Sequence, residues 1–356
     1  MSKMNVCVLF GGMSPEHEVS LRSAESVLRN MDSEKYNIFP VGITKDGQWI
    51  LYRGGDYSQL PSGQWLEHPD NRRAMISPVR GEGLLGFDGQ NIARQSIDVV
   101  FPVLHGENGE DGAMQGLLQL AGIPYVGPHI SASAVAMDKT LTKLVADKAG
   151  VTQAAWQLVR REDLSARMDQ TLELLESRFA YPMFVKPSGT GSSVGVSKAA
   201  NREALVVALV AAAEYDDKVL VEEFICGREV EVAVMGNNNP MASVCGEIDS
   251  GADFYDYDAK YVTDTSTAYI PARISESVEE QVREAAVKVY QAIGCQGLSR
   301  VDFFVTYEDN RVVFNEINTL PGFTSISMYP KLFEASGIPY GQLIDELLRL
   351  AVEAAQ

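Results

Sequence analysis

Four polar side chains between Leu298 and Asn318 carry the sharpest chemical pattern in this chain. Arg300 and Asp302 stand two apart in the strand-like run Ser-Arg-Val-Asp-Phe-Phe-Val, and Glu316 and Asn318 two apart in Val-Val-Phe-Asn-Glu-Ile-Asn. Alternate residues of a strand share a face, so each pair points the same way. The turn-rich Tyr-Glu-Asp-Asn between them predicts a hairpin. Symmetric about Asp309, it sets position 302 opposite 316 and position 300 opposite 318. Two carboxylates and a carboxamide would then meet beside an arginine. Hard oxygen donors of that kind suit Mg²⁺, which fills its remaining positions with water and phosphate oxygens. A one-residue bulge would break the register, and a polar outer face is the competing reading. Val312 and Phe314 are expected on the same face as the acids, which sets them beside buried surface and favours the metal.

Residues 186–195, Lys-Pro-Ser-Gly-Thr-Gly-Ser-Ser-Val-Gly, suit an anion. Glycine lets backbone N–H groups approach closely, and serine hydroxyls add donors. Lys186 ends the preceding strand and could meet a phosphate. The run is neither a P-loop nor a dinucleotide fingerprint, because no Gly-Lys-Ser/Thr follows and a strand, not a helix, comes next. A phosphate flap and a plain hairpin turn both remain open. Lys139, at the start of a helix, and Glu222-Glu223, at the end of the apolar run 219–225, are undecided alone. His17, His68, His105 and His129 lack zinc spacing.

The elements that must position these groups fall into three units. The first alternates strands and helices: Asn5–Phe10, a helical repeat through Leu21, Ala24, Val27, Leu28 and Met31, then 97–104 and a helix stopped by Gly122. That order predicts a mostly parallel sheet with functional loops at its carboxyl ends. Pro102 should lie near a strand end or an edge. Residues 53–92, rich in Gly, Pro, Ser and Asn, read as a surface excursion. The second unit begins near Pro128, with one helix capped by Ser131, faced by Met137, Leu141, Leu144 and Val145 and ended by Gly150. The third begins near Gly227 and ends in an amphipathic helix. Residues 248–271 have no periodicity but many aromatics and aspartates, and predict a lid.

Composition narrows the function classes. The 30 Lys+Arg against 48 Asp+Glu give a formal charge of −18, which disfavours nucleic acid and anionic membranes. Hydrophobic residues at 46% and charged residues at 22% describe a globular chain of two or three domains. No apolar run is long enough to span a bilayer, and no signal-peptide core follows Met1. Cys7, Cys226, Cys245 and Cys295 are scattered and read as buried thiols of a reducing cytosol. A dehydrogenase is disfavoured because 11–16 lack the dinucleotide fingerprint, and a turnover-dead nucleotide-binding regulator because the metal set and Arg300 occur together.

Taken together, six segments resemble the D-alanine–D-alanine ligases of the ATP-grasp superfamily over essentially the whole chain: 10–20, 105–112, 137–139, 185–195, 254–261 and 316–330. The resemblance implies an α/β and α+β chain, an ATP-grasp fold preceded by a Rossmann-like N-terminal α/β domain. The expected units are 1–127 for substrate, 128–225 with the Gly-Ser phosphate loop, and 226–356 with the lid and the metal hairpin. It implies ATP and two Mg²⁺ or Mn²⁺ ions on Asp302, Glu316 and Asn318, in a cytoplasmic homodimer. Lys139, Lys186 and Ser193 would face phosphates. Glu222, Glu223, Phe224, Ile225, Glu229 and Asn315 would line the rest of the nucleotide site, with Glu222 and Glu229 at its ribose and adenine end. Glu16 would take the first ammonium, in a hydrogen-bonded set with Ser192 and Tyr261. Arg300 and the Gly322 N–H would meet the oxyanion; Lys260 and Ser327, phosphate and the second carboxylate; His105 and Glu110, the second substrate. Tyr261 and 327–330 keep the pattern of the D-alanine enzymes rather than of the D-lactate or D-serine ligases. Glu223, where lysine is frequent, departs from the family near the adenine.

Overall fold

The computed structural model describes residues 3–249 and 267–356. Strands β1 (Met4–Gly11), β2 (Tyr36–Ile43), β3 (Trp49–Leu51), β4 (Arg72–Ile76), β5 (Leu84–Asp88), β6 (Asn91–Gln95) and β7 (Val99–Leu104) form the first sheet, in the order β6-β5-β4-β3-β2-β1-β7. Helix α1 (His17–Asn30) crosses from β1 to β2 and buries Leu21, Ala24, Val27 and Leu28. Helix α2 (Ala113–Ala121) ends at Gly122, as the glycine predicts. Pro102 lies on the edge strand β7.

Two expectations for this unit are corrected. Only β2, β1 and β7 run parallel, while β3 to β6 join antiparallel. Residues 53–92 are not a mere excursion, because they supply β4, β5 and the start of β6. Their turn residues space short strands, and a few large apolar side chains anchor them. Trp65, only 1% exposed, packs edge-on against Phe10 with ring centroids 5.0 Å apart, beside Tyr52.

The second sheet, in the order β10-β9-β11-β8, holds β8 (Trp156–Arg160), β9 (Met183–Pro187), β10 (Ser197–Ala199) and β11 (Lys218–Glu223). Helices α5 (Arg161–Arg178) and α6 (Arg202–Tyr215) pack beneath it through Leu172, Leu175, Leu205 and Leu209. Ahead of it, the single helix expected between Ser131 and Gly150 is two, α3 (Ile130–Met137) and α4 (Lys139–Lys148). Asp138 is extended, and its carboxylate accepts the N–H groups of Thr140 and Leu141, so an Asx cap restarts the helix there. His129, not Ser131, precedes α3. The restart leaves Leu141 and Leu144 exposed and turns Lys143 inward.

The third sheet, β14-β13-β12-β15-β16, holds β12 (Gly227–Met235), β13 (Met241–Asp249), β14 (Thr267–Tyr269), β15 (Leu298–Thr306) and β16 (Val312–Asn318). Helix α7 (Glu276–Ile293) lays Val282, Ala286 and Val289 in one core with Val232, Val301 and Phe303. Helices α8 (Met328–Ala335) and α9 (Tyr340–Ala354) bury Leu332, Phe333, Leu343 and Leu347 in a core shared with Val6, Val8 and Phe10 of β1. This shared core fixes the first sheet against the third. Of the expected lid only the ends, β13 and β14, are described; Lys260 and Tyr261 lie outside the described residues. Three cysteines are buried, but Cys226, in the turn between β11 and β12, is exposed. Among the described residues no helix is long and apolar enough to cross a membrane.

Candidate active site

The hairpin forms in the expected register at the residues that matter: Arg300 lies opposite Asn318 and Asp302 opposite Glu316. The register shifts immediately afterwards, with Phe303 opposite Phe314, so Asn315 is the bulged residue. The bulge corrects one argument from sequence. Phe314 turns into the α7 core with Val301 and Ile317, while Val313 clusters with Phe304, Ile225 and Ala154. It also re-aims Asn315, whose Oδ1 accepts from Lys186 Nζ at 3.2 Å.

Glu231 of β12 faces Asp302 from the other side, so Glu231, Asp302 and Glu316 stand in a row across three strands. Arg300 binds Asp302 with two N–H groups, at 2.8 and 2.7 Å, and its Nε lies 3.2 Å from Glu231. Asn318 donates to Asp302 at 3.0 Å, and Lys139 Nζ is 3.7 Å from Glu316. Among the described residues no three Asp, Glu, His or Cys side chains are gathered round one point as a ready metal cage. The chemistry of the donors still fits a hard cation: Asp302, Glu316 and the Asn318 amide offer only oxygens to one open cleft, where phosphate oxygens complete the shell.

That cleft, of about 730 Å³, lies between the second and third sheets. Lys139, Lys186, Phe224, Ile225 and Glu229 line it as expected, and so do Glu223 and Ser193. Phe224 stacks on Phe184, with centroids 5.9 Å apart at 16°, and Lys198 Nζ sits 4.3 Å above it. The flap between β9 and β10 covers one side. Lys139 donates to Thr190 O at 2.6 Å, and Ser192 and Ser193 adopt left-handed backbone (φ 49° and 58°). Successive N–H groups in such a turn form an anion-binding concavity.

Glu222 also lines the cleft, and its carboxylate is drawn to two lysines. It is 3% exposed, with one oxygen on Lys143 and the other 2.5 Å from Lys186 Nζ. Burial would raise this carboxyl, but the ammonium groups, Lys143 first, override it and hold it at about 2. The carboxylate is therefore a counter-ion to the phosphate-side lysines. Glu223 instead accepts the Ala155 N–H at 2.9 Å.

A second locus adjoins the cleft at the carboxyl ends of β1 and β7. Glu16 accepts a hydrogen bond from Ser192 of the flap, which ties the first unit to the second. Gly106 (φ 71°) lies so close that an added Cβ would stand 2.7 Å from Glu16 Oε2. His105 is buried, with Nδ1 3.0 Å from Leu320 O and Nε2 3.1 Å from Ser23 Oγ. Burial lowers its pKa against the pull of Glu16. Glu110 accepts the N–H groups of Gly106 at 2.8 Å and Leu320 at 3.1 Å. Burial, then the Glu16 charge, pushes its carboxyl up to about 8. Gly322 and Ser327 face each other in the following loop, where Ser327 Oγ accepts the Thr324 N–H at 3.0 Å. Sequence reasoning missed Lys143, Lys198 and Glu231. Lys143 is one helical turn beyond Lys139 and Glu231 two residues beyond Glu229, so spacing could have flagged both.

A flap over lysines, facing an oxygen-lined sheet across a cleft, defines the class: an ATP-grasp enzyme, here behind an N-terminal α/β sheet. Residues 5–128 match the family described as D-ala D-ala ligase N-terminus, and 145–349 the D-ala D-ala ligase C-terminus. The chain belongs to the D-alanine–D-alanine ligase family. It is 51% identical to the D-alanine–D-alanine ligase of Acetivibrio thermocellus, over 99% of this chain and 96% of that one. It is 50% identical to that of Caldicellulosiruptor bescii over the same shares. Among solved structures, the VanG D-Ala:D-Ser ligase of Enterococcus faecalis has a TM-score of 0.89 at 39% identity, covering 98% of this chain and 100% of that one. The D-alanine-D-alanine ligase of Coxiella burnetii gives 0.86 at 36%, covering 100% and 96%.

Proposed function

We propose that this protein joins two D-alanine molecules into D-alanyl-D-alanine for peptidoglycan precursor synthesis, using ATP and releasing ADP and phosphate. The observation that carries the reading is the contact between Glu16 and Ser192. It sets a carboxylate able to hold an ammonium directly against the flap of a cleft built for phosphates. In the first step a carboxylate oxygen of D-alanine attacks the γ-phosphorus, and an acyl phosphate forms. The amine of the second D-alanine then attacks the acyl carbon, and the tetrahedral intermediate expels phosphate.

Glu16 holds the first ammonium, so the attacking carboxylate extends toward the cleft. Lys139, Lys186 and the flap N–H groups bind the phosphates. Arg300 and the Gly322 N–H face the oxyanion, where fixed donors act without reorganisation. Ser327 receives the second carboxylate, and neutral His105 with Glu110 closes that end. Phe224 and Ile225 hold the base, with Glu229 toward the ribose. Asp302, Glu316 and Asn318 would hold Mg²⁺ or Mn²⁺, two ions per site, which supply charge neutralisation to the phosphoryl oxygens. Lys260 and Tyr261 belong to the same proposal, as do a homodimer, a cytoplasmic setting and unit boundaries at 127 and 225.

The likeness to a D-Ala:D-Ser ligase supports a second reading, in which D-serine enters as the second substrate. Phosphate release and dipeptide mass are measured with Mg-ATP and D-alanine, D-serine, D-lactate or L-alanine. Release with D-alanine alone and a D-Ala-D-Ala product support the proposal. A mixed D-Ala-D-Ser product that outcompetes it supports the second reading, and no release with D-alanine refutes both.

A further inference from the structure

Beneath the phosphate side of the cleft, Lys186 shares an ionic group with two residues that the reaction as described does not use. Lys143 of α4 is 2% exposed, and its ammonium pairs with one oxygen of Glu222 on β11. The other oxygen of Glu222 is 2.5 Å from Lys186 Nζ, and Lys186 reaches on to Asn315 at 3.2 Å. Lys186 and Glu222 line the cleft; Lys143 does not. One carboxylate is thus shared by an ammonium at the cleft wall and an ammonium behind it.

The charges decide what such sharing does. Within this triad two lysines against one glutamate leave a net +1, open to the cleft at Lys186, where Glu316 and Glu229 also act on it. Remove the Lys143 charge, and Glu222 neutralises Lys186 one to one. The cleft wall then presents a closed ion pair, and a polyphosphate must break it to gain the lysine. Inside a protein that cost is large, because a buried carboxylate left without a partner is strongly unfavourable. With Lys143 in place, Glu222 keeps a partner when Lys186 turns to a phosphate.

We infer that Lys143 is a positioning residue for ATP: by holding Glu222 from behind, it frees the charge of Lys186 for the phosphates. Lys143 touches neither nucleotide nor amino acid. Its effect falls on ATP affinity, not on D-alanine affinity. The inference rests on the cleft being the ATP site, and it sharpens that reading by dividing the lysines into one that contacts and one that releases.

The test measures ATP dissociation constants by calorimetry without D-alanine, then KM for D-alanine and kcat, in wild type, K143M, K143R and K143M/E222Q. Methionine keeps the length and packing of the lysine stem without its charge. For K143M the expected result is ATP binding weakened roughly tenfold, the scale of one partly screened charge, with KM for D-alanine within about twofold. The decisive variant is K143M/E222Q. Removing the glutamate charge as well restores the net +1 at Lys186, so ATP affinity returns to within about threefold of wild type. A merely structural role predicts the opposite, with the double variant worse than the single. K143M binding like wild type, or a double variant weaker than K143M, overturns the inference. If K143M does not fold, K143R and K143M/E222Q decide it. Both should bind ATP within about threefold of wild type, and a larger loss in either overturns it. Failure of wild type itself to bind ATP would refute the site assignment instead.

Discussion

Glu316 and Glu110 place two carboxylates under opposite demands. Glu316 opens on the cleft across from Lys139, opposite Asp302, in a row that holds more negative than positive charge. Glu316→Gln keeps the volume and removes the charge, so kcat should fall at least about 100-fold with the fold intact. Steady-state kinetics beside far-UV circular dichroism checks this; near-wild-type kcat would undo the hairpin assignment. Glu110 is half-buried, and its carboxyl is pushed from 4.5 up to about 8. The folded state therefore holds a proton that the unfolded chain has released, and stability falls as pH rises between those two values. Urea titrations of wild type and Glu110→Gln from pH 5 to 9 should diverge, with wild type losing up to about 1.4 kcal/mol per pH unit relative to the variant below pH 8. Parallel curves would place the proton elsewhere. At this scale sequence periodicity was enough for Arg300, Asp302, Glu316 and Asn318, because a strand fixes which way each side chain points. It did not reach the pairing of Glu222 with Lys143 and Lys186, which come from a helix and another strand.

Turns and bulges carry the precision of the site. The shift at Asn315 lies inside the ligand pairs and not between them, so the metal-facing register survives a distortion that re-aims Asn315 and Phe314. The loop after β7 works by close approach. Gly106→Ala would place a methyl group against Glu16 and force a left-handed backbone on alanine, a strain of about 1–2 kcal/mol. Calorimetry and kinetics should show kcat/KM for D-alanine falling roughly tenfold or more with ATP affinity unchanged. An equal loss for both ligands would mean that the turn supports the whole cleft. Strands and helices with a clear period were legible, including the hairpin, α1, α2 and α9. Residues 53–92 were not, because β4 and β5 are short, rich in turn residues, and anchored by Trp65 packing that no local period reveals. The break at Asp138 was hidden because a capping carboxylate overrode an otherwise continuous helical pattern.

Across the molecule, the −18 charge coexists with a site for an anionic nucleotide because cations are concentrated locally. Lys139, Lys186, Lys198 and Arg300 converge from the second and third sheets and the helix α4. The core shared by β1, α8 and α9 keeps the amino-acid locus in register with the cleft, and the Glu16–Ser192 contact spans the join. Such convergence is what a sequence hides, since the four cations are scattered over more than 160 positions of the chain. The central claim is that a carboxylate oxygen of D-alanine attacks the γ-phosphorus and leaves with it. The most direct measurement uses D-alanine labelled with ¹⁸O in its carboxylate, Mg-ATP, and mass analysis of the released phosphate. One ¹⁸O per phosphate, in step with D-alanyl-D-alanine formed, is the predicted result; unlabelled phosphate would contradict it.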